Sequence, residues 1–305
     1  MGLEIDVSVI IPTYNRRELV QRAIRSVLEQ TREVQEIIVV DDGSSDGTQA
    51  AIAAAFGNRV HCVGQANGGV SSARNHGLRL ARGRLLALLD SDDEWLPDKT
   101  RLQAQWLDER PDFGMVLCDV ERMDAQHQPF NVMRRRELLP QDGQILKWVL
   151  LNPFLVPASV LMRREVVDSV GGFDETLTTG EDLDFHLRVA ARWKIGVVER
   201  TLVRAMRGHA GLSLAASTYD DYVRVIERAA AAAGDTVPAA DLALALLRAY
   251  ERNARGMLYQ RRWADAWRMS RKAWAQTEGA IARARLLGLI PVAARSAVAS
   301  LRSAR

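Results

Sequence analysis

VSVIIPTYNR, residues 7–16, decides the fold. Val7–Ile11 is an almost unbroken β-branched run, the pattern of a strand buried on both faces. Pro12 reads as its end. A helical spacing follows over Arg17–Gln30, with Leu19, Ala23, Ile24, Val27 and Leu28 on one face. Working outward, EIIVV (36–40) is a second buried strand that stops at Asp41-Asp42-Gly43-Ser44, and a helix near Thr48–Phe56 leads to a short strand at Val60–Gly64. Asn67-Gly68-Gly69 opens a helix near Ser71–Leu80, and LLALL (85–89) is another core strand, ending in Asp90-Ser91-Asp92-Asp93. Strands and helices alternating at this spacing imply right-handed crossovers and a mainly parallel sheet. Ligands of such sheets bind at the carboxyl ends of the strands, where the polar clusters after these runs fall.

Beyond Pro111 the pattern predicts strands at Gly114–Val120 and Ser159–Met162, helices at Arg164–Val170 and Glu181–Trp193, and two strands at Val197–Glu199 and Leu202–Met206. From Tyr219 onward Ala, Leu and Arg dominate and the reading is helical, with Leu242–Ala275 as a helical hairpin. A chain of 305 residues is long enough for one large α/β domain and an appendage, or for two modest domains. Cys62 and Cys118 sit in apolar runs without metal-ligand spacing, which points to inert core thiols and a reducing compartment. The start lacks the basic-then-apolar pattern of a signal peptide, and no apolar run reaches the roughly 18 residues of a membrane span. The expected location is cytoplasmic. The net charge of +3 hides an asymmetry: Arg248–Arg305 carries 13 Lys/Arg against 3 Asp/Glu, so the rest is about −7 by subtraction. An acidic body argues against a nucleic-acid groove and leaves the basic tail for an anionic partner.

The clusters carry chemistry. Asp90 and Asp92, at i and i+2 past a buried strand, suit a hard divalent cation, which one or two carboxylates share with substrate phosphates. The plainer reading is a solvated acidic turn. Tyr14 can lay its ring on a base, and Asn15 reads as a helix N-cap. Asp41 and Asp42 either end a strand in a turn or accept hydrogen bonds from a ribose or pyrimidine N–H. Arg74 and Asn75 follow a glycine pair, where backbone approaches ligands and Arg suits phosphate; the plainer reading is a solvated Arg. In Gly180-Glu181-Asp182-Leu183-Asp184, acids complement a helix dipole, and one carboxylate facing a donor would serve as a general base. His209 is a lone loop histidine, either a metal or phosphate ligand or a surface residue.

In order, VSVIIPTYNR (7–16), VVDDGSSDGT (39–48), NGGVSSARNHGL (67–78), LLDSDDEWLP (88–97) and GGFDETLTTGEDLDFHLR (171–188) resemble the family 2 glycosyltransferases over about residues 5–210. The resemblance implies a GT-A fold, Rossmann-like with a mainly parallel mixed sheet: a catalytic domain over 1–215, with its nucleotide half over about 1–110 and acceptor half over about 111–215, and a helical basic extension over 216–305. It implies that Pro12, Tyr14 and Asp42 grip the nucleobase with Asp41 beside them, and that Arg74, Asn75 and Ser91 line the nucleotide pocket. Asp90 and Asp92 match the metal-binding D-x-D for Mn2+ or Mg2+, with His209 a looser match. Asp182 matches the catalytic base of inverting members, with Glu181 near acceptor or donor hydroxyls. The partners implied by the resemblance are a nucleotide-sugar donor, a UDP-sugar, and a saccharide or lipid-linked saccharide acceptor.

The tail goes beyond the family core. Met257, Trp263, Trp267, Ser270 and Trp274 fall near one helical stripe flanked by Arg261, Arg262, Arg268, Arg271 and Lys272. The plainer reading is a helical pair that packs on the catalytic domain, with the stripe as core. The sharper reading is an interfacial element at the inner face of the plasma membrane, continued by Leu286–Ile290 and Val292–Val298. Two rival functions are a nucleotidyltransferase that forms sugar nucleotides, for which VIIPTYNRRE lacks a glycine- and lysine-rich triphosphate loop, and a catalytically silent nucleotide-sugar-binding protein.

Overall fold

The computed structural model describes residues 6–124, 139–153, 155–206 and 218–276. His209 and the apolar segments after 276 lie outside the described residues. Among the described residues two compact units form, and they do not divide at 215. One draws on Met1–Ile145, Phe154–Leu177 and Arg188–Ala210, and the other on Leu146–Pro153, Thr178–Leu187 and Gly211–Arg305.

The first unit holds the sheet. Its strands are β1 (Val7–Thr13), β2 (Glu36–Asp41), β3 (His61–Gly64), β4 (Leu85–Leu88), β5 (Glu94–Trp95), β6 (Phe113–Met123), β7 (Leu161–Arg163) and β8 (Lys194–Met206). They lie in the order β3-β2-β1-β4-β7-β6-β8-β5. The β1, β2, β3 and β4 neighbours pair in parallel, as the alternating sequence requires. β7 runs antiparallel to both β4 and β6, and β5 antiparallel to β8. β1 and β2 are buried at every position, as their continuous apolar runs predict. Helices α1 (Arg17–Leu28), α2 (Thr48–Phe56), α3 (Val70–Leu80), α4 (Lys99–Asp108) and α6 (Arg164–Val170) belong to this unit.

Three local expectations change. Pro12 does not end β1; it lies inside the strand, opposite Val40. Its missing N–H is harmless only if the ladder does not need a donor there. The two strands expected at 197–199 and 202–206 are one, β8, broken in appearance by the exposed Glu199-Arg200-Thr201. The register to β6 shifts between Cys118, opposite Val198, and Asp119, opposite Thr201, so a bulge absorbs Glu199 and Arg200. Asn15 does not cap α1. It sits at φ 50, and its Oδ1 accepts from Ser45 N at 2.8 Å while its own N–H donates to Ser44 Oγ at 2.8 Å. Arg17 N, at the first turn of α1, donates instead to Asp46 Oδ2 at 3.0 Å.

One core residue was not anticipated. Lys99 is fully buried, and its Nζ donates to Gln103 Oε1 at 2.7 Å and to Val160 O at 3.2 Å, 4.1 Å above the Trp95 ring. Burial pulls its pKa down to about 8.

The second unit is helical. It contains α5 (Leu146–Leu151), the first turns of α7 (Glu181–Ala190), α8 (Thr218–Ala233), α9 (Ala239–Tyr259) and α10 (Trp263–Ala275). Val223, Leu247, Tyr250, Ala254, Met257, Ala266, Met269 and Ala273 form its core. Gly256 lets α8 and α9 approach: a Cβ there would lie 2.0 Å from the Tyr219 ring. The α9–α10 hairpin is as expected, but the tryptophan stripe is not core. Trp263, Trp267 and Trp274 are 41%, 68% and 49% exposed. The small Ala266 and Ala273, with Met269, take the seam, because a close helix pair leaves no room for indoles. Among the described residues no helix is long and apolar enough to cross a membrane.

Candidate active site

The expected nucleotide-site residues of the first unit gather at one edge of the sheet. Asp41 is the last residue of β2 and the register partner of Thr13, the last residue of β1. Leu89 continues β4 by donating its N–H to Ile10 O at 3.0 Å, which brings Asp90 to the same edge. Tyr14, just past β1, is 49% exposed, with its ring available for stacking.

The two carboxylates of the D-x-D are each held by an arginine. Arg74, 3% exposed, donates from Nη2 to Asp90 Oδ1 at 2.7 Å and lies over the Phe173 ring at 5.1 Å. Arg16 Nη1 pairs with Asp92 Oδ2 at 3.0 Å and reaches Ser91 Oγ at 3.4 Å. The guanidiniums offset the mutual repulsion of two acids two residues apart and fix their orientation. Asp93 points elsewhere: buried, it accepts from Met206 N at 3.1 Å and anchors the end of β8.

Asp42 and Asn75 are engaged within the protein. The Asp42 carboxylate accepts from Gln65 Nε2 at 2.8 Å, Gly68 N at 2.9 Å and Gly69 N at 2.8 Å, so it fastens the loop before α3. Gly69 itself has φ 87, a conformation only glycine adopts without strain. Asn75 Nδ2 donates to Phe173 O at 2.9 Å and Glu175 Oε1 at 2.8 Å, and its Oδ1 accepts from Phe173 N at 2.7 Å. Gly172 permits this approach, since a Cβ there would fall 2.3 Å from Asn75 Oδ1. Both residues therefore shape the edge of the sheet by ordering its loops.

Thr13 Oγ1, Asp41 Oδ2 and Ser71 Oγ are buried with no hydrogen-bond partner among the described residues. Buried polar atoms are nearly always bonded, so two exceptions on Thr13 and Asp41, register partners at the strand ends, ask for a polar ligand. Asp41 Oδ1 is occupied by Ser44 N at 3.0 Å, which leaves Oδ2 for that ligand.

Among the described residues no group of three His, Cys, Asp or Glu is arranged to hold a metal ion. Asp90 and Asp92 nonetheless fit Mg2+ or Mn2+, which take one or two carboxylates and complete their shell with water and phosphate oxygens. In the second unit, Glu181, Asp182 and Asp184 all lie in the first turn of α7. Glu181 and Asp184 are buried and Asp182 is half-buried. Arg16, Gln65 and Phe173 escaped the sequence reading of the site. Arg16 and Phe173 carried a signal, as members of the first and fifth motifs, and Gln65 carried none.

A mixed sheet with a parallel half, acids at its strand ends and a helical C-terminal part is consistent with the GT-A architecture. The profile described as "Glycosyl transferase family 2" matches residues 8–171, more than half of the chain. The chain belongs to glycosyl transferase family 2. That match covers the first four motifs except Val7 and stops before Asp182.

The "Uncharacterized glycosyltransferase RC0461" of Rickettsia conorii is 30% identical over 202 residues, 65% of this chain and 33% of that protein. The "Putative teichuronic acid biosynthesis glycosyltransferase TuaG" of Bacillus subtilis is 42% identical over 107 residues, 34% of this chain and 42% of that protein. The "Succinoglycan biosynthesis protein ExoO" of Rhizobium meliloti is 33% identical over 197 residues, 58% of this chain and 53% of that protein. The chain thus spans less than two thirds of each of these relatives. Among solved structures, S. aureus TarS 1–349 in complex with UDP-GlcNAc superposes with a TM-score of 0.69 at 21% identity, over 88% of this chain and 81% of that one. This likeness shows the fold.

Proposed function

We propose that this chain is an inverting glycosyltransferase that moves a sugar from a nucleotide-diphosphate donor, a UDP-sugar, to an acceptor hydroxyl in bacterial surface polysaccharide or glycoconjugate synthesis. The observation that carries the reading is the strand-end cluster of Tyr14, Asp41, Asp90 and Asp92, with buried unpartnered oxygens beside them. Family membership supports the reaction class, and the names of TuaG and ExoO support the polysaccharide setting. The UDP-GlcNAc complex of TarS supports the donor class.

In this reading Tyr14 stacks on the base and Asp41 Oδ2 accepts from the nucleoside. Asp90 and Asp92 would hold a divalent ion with the donor phosphates, and that ion, when bound, neutralises charge on the departing diphosphate. Asp182 takes the proton from the acceptor hydroxyl as its oxygen bonds to the anomeric carbon and the bond to the diphosphate breaks. The acceptor is a saccharide or a lipid-linked saccharide. The exposed tryptophans of α10, among Arg268, Arg271 and Lys272, support peripheral attachment to the inner face of the plasma membrane.

A panel of nucleotide sugars with Mn2+ tests the reading by release of nucleoside diphosphate. One donor is expected to turn over, and Asp182→Asn to lose most turnover while keeping donor affinity. Near wild-type transfer by Asp182→Asn would remove the base assignment, and failure of every donor would remove the reaction.

A further inference from the structure

We infer that α8, the first helix of the C-terminal extension, positions the acidic turn of α7 through Asp221 and Arg228, which makes the extension part of the catalytic apparatus. The inference rests on the reading of Asp182 as base.

The turn that leads into α7 is tight. Gly180 has φ 74, and Asp184 N already donates to Gly180 O at 3.0 Å, so the helix starts without a lead-in. The N–H groups of Thr178 and Thr179 precede the helix and need an acceptor from elsewhere. Asp221 supplies it: its Oδ2 accepts from Thr178 N at 3.0 Å and from Thr179 N at 3.2 Å. Arg224, one turn along α8, donates to Asp221 Oδ1 at 3.1 Å, so both carboxylate oxygens are fixed. Two turns beyond Asp221 on the same face, Arg228 pairs with Asp184. Asp184 and Asp221 are 4% and 9% exposed, so the carboxylate ends of these charge-assisted bonds are shielded from water, while the Arg224 and Arg228 side chains are about half exposed.

The half-buried Asp182 thus lies between two anchors, one on the backbone before it and one on the side chain two residues after it. Electrostatics adds a reason for the second anchor. Three acids crowd the first turn of α7, and the Arg228 guanidinium offsets the most deeply buried of them. A base displaced by about 1 Å loses on the order of a hundredfold in rate, because proton transfer needs hydrogen-bond geometry.

The test uses the full chain with Asp221→Asn, Arg228→Met and Arg228→Lys. Amide hydrogen exchange at Thr178 and Thr179 is read without substrate, and turnover is read with the donor that the panel above selects. In Asp221→Asn the two amides are expected to exchange about tenfold faster. Asp221→Asn and Arg228→Met are expected to lose ten- to hundredfold in kcat with donor KM within about twofold. Arg228→Lys is expected to restore most of that loss, which a general loss of stability would not do. Unchanged exchange in Asp221→Asn overturns the inference, as does wild-type kcat in both Asp221→Asn and Arg228→Met. If Asp182→Asn is silent in that case, the base reading stands alone. If Asp182→Asn turns over, the base reading falls whatever α8 does.

Discussion

Asp42→Asn separates a carboxylate that fastens a loop from one that only receives a nucleotide. In the structure Asp42 Oδ1 accepts from Gln65 Nε2 and Gly68 N, and Oδ2 from Gly69 N, at 2.8–2.9 Å. An asparagine amide keeps one acceptor and turns its NH2 toward at least one N–H. The best orientation keeps the two bonds on one oxygen, weakened by loss of charge, and sets two donors face to face at Gly69. Bonds to a charged group contribute about 1.5–3 kcal/mol, and because Gly68 and Gly69 are exposed, water can take up the stranded donor, so the expected loss is about 1.5–3 kcal/mol. For a domain of this size that lowers the melting temperature by roughly 3–12 °C. The assay is a thermal melt of the protein without nucleotide, paired with amide exchange at Gly68 and Gly69. Should the loop open by itself, the melt moves less and protection of those two amides collapses. A variant with wild-type melting and wild-type protection refutes the clamp and returns Asp42 to the nucleotide alone.

Three further outcomes are expected. Asp92→Ala weakens UDP binding at least tenfold by calorimetry with Mn2+ present and changes it little in chelator; equal affinity with Mn2+ would count against the metal role. Lys99, with its pKa lowered to about 8 by burial, carries fewer protons when folded than when unfolded between pH about 8 and 10.5. Its contribution therefore raises stability as pH rises through that window and holds its full penalty, about 3 kcal/mol, below it. Cys118, pushed up to about 12, acts in the opposite sense above pH 9, so the readout is the difference between wild type and Lys99→Met in denaturant melts. A difference that stays flat from pH 7.5 to 10.5 contradicts the assignment. Finally, replacing Trp263, Trp267 and Trp274 together by Gln should abolish flotation with vesicles containing anionic phosphatidylglycerol and leave the melting temperature near wild type, because these side chains stand outside the helix seam. Absence of wild-type flotation removes the membrane reading.

By itself the sequence determined the parallel half of the sheet and its functional edge. Strands buried on both faces read as unbroken apolar runs, and chain direction alone puts the residues after Ile11, Val40 and Leu89 at one end. Periodicity likewise marked the α9–α10 hairpin. It was blind to what lay between elements. The two-residue β5 has no pattern to read, and β8 looked like two strands because its middle is polar and solvent-facing. A helical stripe shows only that residues share a face. That α10 turns its indoles outward and Ala266 and Ala273 inward follows from how closely α9 approaches, which is a property of the packed pair.

The site divides in the same way. That Asp41 and Asp90 stand at the ends of β2 and β4 was legible, because each directly follows a buried apolar run. Only tertiary structure decided that Arg16 holds Asp92, that Asp42 holds the Gly68-Gly69 loop, and that Asn75 binds Phe173 across 98 residues. It alone brought Asp221 to Thr178 and Thr179, and Arg228 to Asp184. A hydrogen bond is satisfied by any partner of the right chemistry within about 3 Å, so side-chain type names the possible bonds and folding selects among them.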